Sequence, residues 1–316
     1  MLINALSPWY GAKRSLAEPL VRAIGKPKAF WDVFCGSCAV LFSLPRCAVE
    51  VVNDLNADLI NLARWVRSDS WPLLFERLNR TFVGPDVFNE SAAVIEGEPF
   101  AQGSAPNMNR AYHFMVYSWQ GRSGTLGTKG RQTFAMRFTS NGGNQARRFR
   151  SAVDSLPDWA DRLANVTILN DDAFAIIPKI EDKRGTVIYA DPPYLKKSAK
   201  YLHDFETCSA CAGAPNPCSC GACVQPGQQH NNGPCRACKS CRGKPDGHAR
   251  LALALRRFTL TRVVVSYYDH PRLPDLYPGW KLERIEVTKA MAQPGKRDEQ
   301  GATKAVEVIL TNDVAA

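Results

Sequence analysis

The residues best equipped for chemistry are Asp191-Pro192-Pro193-Tyr194. Two consecutive prolines fix the backbone and remove two N–H donors, leaving carbonyls that are rigidly aimed and free to accept. Asp191 adds a carboxylate acceptor, and Tyr194 adds a ring on which another ring can stack. Such a loop receives an amino group. If the Asp191 carboxylate and the Pro192 carbonyl each accept one hydrogen of an exocyclic amine on a base, the nitrogen shifts toward sp³. Its lone pair then becomes available, while Tyr194 holds the ring in place. The plainer alternative is a rigid structural turn.

A second run, Trp31-Asp32-Val33-Phe34-Cys35-Gly36-Ser37-Cys38-Ala39-Val40, reads as strand, glycine turn and helix start. Gly36 lets a ligand approach the backbone, and the helix start beyond it offers free N–H donors. Asp54, in Val51-Val52-Asn53-Asp54-Leu55-Asn56, is placed after the next strand to accept ribose hydroxyls, or to cap the helix that follows.

The third chemical signal is the cysteines. Eight of the eleven fall between Cys208 and Cys241: Cys208, Cys211, Cys218, Cys220, Cys223, Cys235, Cys238 and Cys241. The two-residue spacings Cys208 to Cys211, Cys220 to Cys223, Cys235 to Cys238 and Cys238 to Cys241 let neighbouring thiolates grip one tetrahedral ion. Eight thiolates suit about two structural zinc ions. His230 or His248 can replace a cysteine, and the last three cysteines also resemble part of an iron–sulfur run. A disulfide framework is the alternative, disfavoured in a reducing compartment. Cys35, Cys38 and Cys47 lie outside the block and read as small core residues.

These groups need a scaffold. Short apolar runs at Ala29 to Phe34, Val49 to Val52, Thr186 to Tyr189, Arg262 to Ser266 and Val306 to Leu310 read as buried strands. Helical spacing appears at Ala39 to Phe42, Asn56 to Trp65 and His248 to Phe258. Strand alternating with helix predicts an α/β, doubly wound Rossmann-like sheet whose ligands sit at the C-terminal strand ends. Residues 70–163 interrupt the alternation with Gly/Asn/Ser-rich loops and read as an inserted second domain, so the main domain comprises 1–69 and 164–316. The block 208–241, with almost no aliphatic residue besides Val224, reads as a small metal-binding insertion.

Charge narrows the partners. Forty Lys+Arg against thirty Asp+Glu give a net charge of +10. From Arg110 to Arg150 there are eight basic residues and no acid, interleaved with aromatics. Arg122, Arg131, Arg137, Arg147, Arg148 and Arg150, with Tyr117 and Trp119, are the expected nucleic-acid contacts. The alternative is an aromatic core under a solvated basic face. No run approaches the roughly 18 apolar residues of a membrane span, and Met1 to Lys13 lacks the features of a signal peptide. A soluble, intracellular and monomeric protein without a membrane partner is expected.

With these motifs in view, the chain resembles the Dam-type, or D12-class, adenine-N6 DNA methyltransferases. Trp9-Tyr10-Gly11-Ala12-Lys13 is similar to the N-terminal element whose Trp and Lys contact S-adenosylmethionine in that family. Phe34-Cys35-Gly36-Ser37 matches the cofactor turn, and Asn53-Asp54-Leu55-Asn56 the acidic ribose element. Asp172 falls where the family has an acid near the cofactor adenine. Val264-Val265-Ser266-Tyr267 and Glu307-Val308-Ile309-Leu310-Thr311-Asn312 resemble its late strands.

The resemblance implies a methyltransferase sheet with Asp191, Pro192, Pro193 and Tyr194 as the catalytic loop. Trp9, Lys13, Phe34, Gly36, Ser37, Asp54, Asp172 and Asp191 would then be the cofactor contacts. It also implies that 70–163 is the target-recognition domain, that double-stranded DNA is the partner with its base flipped, and that the cytoplasm of a bacterial or phage-infected cell is the setting.

The chain departs from the pattern at Cys38 and Ala12, where the family has glycine, and in the cysteine block. A cytosine-C5 enzyme would need a nucleophilic cysteine after a proline, and only Cys218 and Cys235, inside the block, follow one. Asp191 rather than Ser or Asn favours adenine in DNA. The rival from another class is a zinc-containing DNA-binding module on an impaired methyltransferase fold.

Overall fold

The strands are β1 (Ala29–Asp32), β2 (Val49–Asn53), β3 (Val166–Leu169), β4 (Thr186–Ala190), β5 (Arg262–Tyr268), β6 (Lys281–Thr288) and β7 (Lys304–Thr311). They are taken from a computed structural model that describes residues 5–11, 13–122, 126–136, 144–195, 205, 247–288 and 304–314. One seven-stranded sheet results, in the order β3-β2-β1-β4-β5-β7-β6. β1 to β5 pair in parallel, and β7 enters antiparallel between β5 and β6. The order reverses between β1 and β4, the switch point at which open α/β sheets bind ligands.

β4 shows why the central strands form. All five of its residues are buried, and their side chains alternate between two cores. Val187 and Tyr189 face one core, whereas Ile188 and Ala190 face the other. The first core is covered by α1 (Ala17–Ile24), α2 (Ala39–Ser43), α3 (Ala57–Arg67), α4 (Trp71–Asn79), α5 (Pro85–Glu96), α6 (Met108–Gln120), α7 (Gln145–Asp154) and α8 (Leu156–Leu163). The second is covered by α9 (Ala173–Ile176), α10 (Gly247–Arg256) and α11 (Leu273–Leu276). The doubly wound α/β sheet expected from the sequence is therefore present. β3 and β6 are additions to the five strands that the sequence marks.

Residues 70–163 are not the loop-rich segment that their composition indicates. Five helices run through them, three opening with a proline in the first turn (Pro72, Pro85, Pro157), where its missing N–H costs nothing. Asn107 and Asn144 cap two more by accepting the N–H of Arg110 and of Ala146. Ten of the thirteen residues of α6 are buried, so it is a central helix with no wide solvent face. Its Phe114, Val116 and Trp119 share one cluster with Phe30 and Tyr189 of the sheet, so these helices build onto the sheet rather than around a core of their own.

The cysteine block, Cys208 to Cys241, lies outside the described residues, as do His230, Arg137 and Ala12. Among the described residues no cluster of three or more His, Cys, Asp or Glu side chains could hold a metal. Among them too, no helix is long and apolar enough to cross a membrane.

Candidate active site

Three acidic residues meet where β1, β2 and β4 end. Parallel register sets Asp32 beside Val52 and Tyr189, so Asp54 and Asp191 each lie two residues beyond that level. Asp32 is almost fully buried, and its Oδ1 has no hydrogen-bond partner among the described residues. Burial, with Asp191 and Asp54 nearby, pushes its carboxyl well above the usual carboxylate range, against the Phe34 backbone and Lys13.

Asp54 organises the turn. Its Oδ2 accepts the Gly36 N–H at 2.9 Å and its Oδ1 accepts the Asn56 N–H at 2.9 Å, tying the turn after β1 to the start of α3. The cap of α3 is Asn56, whose side chain accepts the Leu59 N–H at 2.9 Å, so Asp54 braces the capping residue rather than capping the helix itself. Gly36 has φ +46°, and a Cβ there would stand 3.3 Å from the Trp9 ring. On its other side Trp9 packs on Gly127, where a Cβ would come within 2.7 Å of the ring. Cys38 adopts φ +58°, a left-handed conformation that costs a non-glycine residue roughly 1–2 kcal/mol. The missing glycine is thus tolerated at some strain, with Cys38 fully buried as a core residue.

Asp191 is held by both oxygens. Its Oδ1 accepts from the Ser266 hydroxyl at 2.8 Å, and its Oδ2 lies 2.8 Å from the Lys13 ammonium. Ser266 has committed its only hydrogen, so the Tyr189 hydroxyl, 2.9 Å away, must donate to it. Lys13 also donates to the Gly11 carbonyl at 2.8 Å and stands 4.7 Å over the Tyr194 ring. The Tyr194 hydroxyl donates to Glu307 Oε2 at 3.1 Å, and its ring meets Tyr268 edge-on at 4.4 Å. Burial, with Glu307, Tyr10 and Asp191 adding to it, pushes the Tyr268 phenol up to about 12.

The Asp-Pro-Pro-Tyr loop therefore leaves a parallel strand at the switch point with its carboxylate oriented and its aromatic ring braced. The sequence profile of the D12 class N6 adenine-specific DNA methyltransferases matches residues 9–211, which hold the N-terminal lysine, the glycine turn and this loop. The chain belongs to that family. It is an adenine-specific DNA methyltransferase, and DNA is its substrate. Among curated proteins, none matches the chain.

Within this D12-class enzyme the structure brings most of the expected site residues together. Trp9, Lys13, Phe34, Gly36, Ser37, Asp54, Asp191 and Tyr194 surround the ends of β1, β2 and β4. The Ser37 carbonyl accepts from Leu6 at 2.9 Å. Asp172, exposed, caps α9 by accepting the Phe174 N–H at 2.9 Å. Phe174 and Phe34 lie either side of Phe205, at 5.5 and 5.8 Å between ring centres, and the Arg250 guanidinium stands 4.2 Å over Phe174.

The sequence reading passed over Asp32, Ser266 and Glu307 as site residues. Only the charge of Asp32 and Glu307 inside apolar strand runs could have flagged them.

The expected DNA contacts divide. Arg122, Arg131, Arg147 and Arg150 are exposed. Arg131 pairs with Glu96 at 3.3 Å and Arg150 with Asp154 at 2.9 Å. Arg148 is half-buried over the Trp119 ring at 5.3 Å. Arg110 is not a surface cation at all. It pairs with Asp58 at 2.5 Å and donates to the carbonyls of Val94, Ile95 and Glu98, closing the C-terminal end of α5.

Trp119 and Tyr117, expected as nucleic-acid contacts, are not on the surface. Both are buried. Trp119 donates its ring N–H to the Leu6 carbonyl at 3.0 Å, and Tyr117 donates its hydroxyl to Glu96 at 2.8 Å. Within this stretch Tyr117, Trp119 and Phe149 build core, whereas Arg122, Arg131, Arg147 and Arg150 lie on the surface.

Proposed function

We propose that this chain transfers a methyl group from S-adenosylmethionine to N6 of adenine in double-stranded DNA, acting on a base flipped out of the helix. The observation that carries the proposal is the Asp191 carboxylate at the end of β4, oriented by Ser266 beside the braced ring of Tyr194. Asp191 and the Pro192 carbonyl accept the two N6 hydrogens, drawing the nitrogen out of conjugation; Tyr194, 1% exposed with the Lys13 ammonium over its ring, stacks on the base once that face is uncovered. The target amine is buried in a duplex, so the base must leave the stack to reach this loop.

The residues of the turn fit the cofactor. S-adenosylmethionine supplies an electrophilic methyl on a cationic sulfur. The carboxyl groups of Asp32 and Asp191 lie beside the turn, Asp54 suits its ribose hydroxyls, Gly36 and Trp9 form a close-fitting wall, and Asp172 with Phe34 and Phe174 lies on the side suited to its adenine. Calorimetric titration is expected to give one cofactor site per chain. Asp54→Ala should weaken binding by at least tenfold, because it removes both a polar partner and the anchor of the Gly36 N–H. Equal affinity in the variant would contradict this assignment.

The helices of 70–163 serve target recognition, with the exposed Arg122, Arg131, Arg147 and Arg150 meeting phosphates, Arg131 and Arg150 exchanging Glu96 and Asp154 for them. The cysteine block is proposed to bind zinc, on the strength of its spacings alone. Elemental analysis should find about two zinc per chain by the eight-thiolate count. Purified protein free of both zinc and iron would overturn the metal reading.

A further inference from the structure

Glu307 is a buried carboxylate in the middle of a strand. It lies within β7, opposite Tyr268 of β5 and Ile285 of β6, and is 8% exposed. A carboxylate there carries a desolvation cost that an apolar residue of similar volume would avoid. Its Oε2 faces two groups of the candidate site, the Tyr194 hydroxyl at 3.1 Å and the Lys13 ammonium at 3.8 Å.

Lys13 presents a difficulty that Glu307 resolves. The Lys13 side chain is 4% exposed, and its ammonium both takes Asp191 Oδ2 and covers the Tyr194 ring. An incoming base needs the same ring face to stack, and its amine needs an oxygen of Asp191 on that side, where Lys13 holds Oδ2 and Ser266 already holds Oδ1. Ammonium and amine therefore compete. A buried ammonium cannot leave one anion without another to receive it. Glu307 Oε2 is that anion: a movement of about 1 Å brings Nζ from 3.8 Å to ordinary hydrogen-bond distance.

Resting on the proposed roles of Asp191 and Tyr194, we infer that Glu307 is a positioning residue of the methyl-transfer site. It holds the Tyr194 ring by its hydroxyl and receives the Lys13 ammonium as the target amine takes Asp191 Oδ2. Glu307 touches no reacting atom. It acts through its two neighbours, so it should govern turnover more than binding.

The test is steady-state methyl transfer from labelled S-adenosylmethionine to unmethylated genomic DNA. Glu307→Gln keeps an acceptor for Tyr194 but removes the charge. It is expected to lower kcat about tenfold, with KM for DNA and cofactor within twofold of wild type and an unchanged thermal midpoint. Glu307→Ala loses both contacts and should fall about tenfold further. If Glu307→Gln does not fold, Tyr194→Phe removes the same contact from the other side and should lower kcat at least threefold with KM unchanged.

A kcat within twofold of wild type for Glu307→Gln, or a loss carried by KM alone, overturns the inference. So does an unchanged kcat for Tyr194→Phe. Asp191→Ala in the same assay separates the two levels. If it stays active, the reading of the site fails. If it is inactive while Glu307→Gln behaves as wild type, only the role of Glu307 fails.

Discussion

Asp191→Ala is expected to lower the rate of methyl transfer by at least roughly 10²–10³, the loss found when one preorganised partner is withdrawn from the group that changes in the transition state. DNA affinity should stay within threefold, because affinity rests on phosphate contacts remote from this loop. The substitution also takes from Lys13 the anion 2.8 Å away. Breaking a buried pair with no substitute costs roughly 3–5 kcal/mol. The cost here should be smaller, because Glu307 stands 3.8 Å from the same ammonium. Rates with labelled cofactor, together with filter binding of DNA, check both halves. Activity within tenfold of wild type would remove Asp191 from the chemistry.

The largest effect on stability is expected from Trp119→Ala. Trp119 is 1% exposed, packs against Trp159 with ring centres 6.5 Å apart and donates to the Leu6 carbonyl. Truncating a buried tryptophan costs about 3–5 kcal/mol from lost burial and the cavity left behind. The lost hydrogen bond to Leu6 has a further consequence, because the Leu6 N–H donates to the Ser37 carbonyl in the turn after β1. Trp119 therefore anchors the N-terminal segment against that turn. The variant should show both a lower denaturation midpoint and weaker cofactor binding. A midpoint unchanged in urea, with a selective loss of DNA distortion, would return Trp119 to the role at DNA that its sequence context indicates.

What the sequence showed and hid follows from physics at particular residues. β4 was legible because burial on both faces makes it a continuous apolar run ending at a proline pair. The Asp-Pro-Pro-Tyr loop was legible because its chemistry lies in adjacent residues. β6 was hidden because it is an edge strand with Lys281, Glu283, Arg284 and Glu286 along it, as exposed edges require. β3 has only four residues.

The helices α4 to α8 were hidden by the Gly- and Asn-rich loops between them. Composition could not say which side of a helix faces water, so the buried Trp119 and the exposed Arg147 of the same stretch looked alike. Lys13 and Ser266 reach Asp191, and Glu307 reaches Lys13, from three distant parts of the chain. That meeting is a product of sheet order, which no local pattern encodes.

Cys38 shows a departure from the family pattern accommodated locally. The backbone keeps the left-handed turn that glycine would favour, and the thiol is buried against the core. The glycines that matter for close approach are those against Trp9: Gly36, where a Cβ would stand 3.3 Å from the ring, and above all Gly127, where it would stand 2.7 Å away.

The most direct measurement is nucleoside mass spectrometry of DNA incubated with S-adenosylmethionine and either the wild-type chain or Asp191→Ala. N6-methyladenine should accumulate with the wild type and stay at background with the variant, with no methylated cytosine in either. Methylated cytosine, or equal N6-methyladenine from both proteins, would contradict the account.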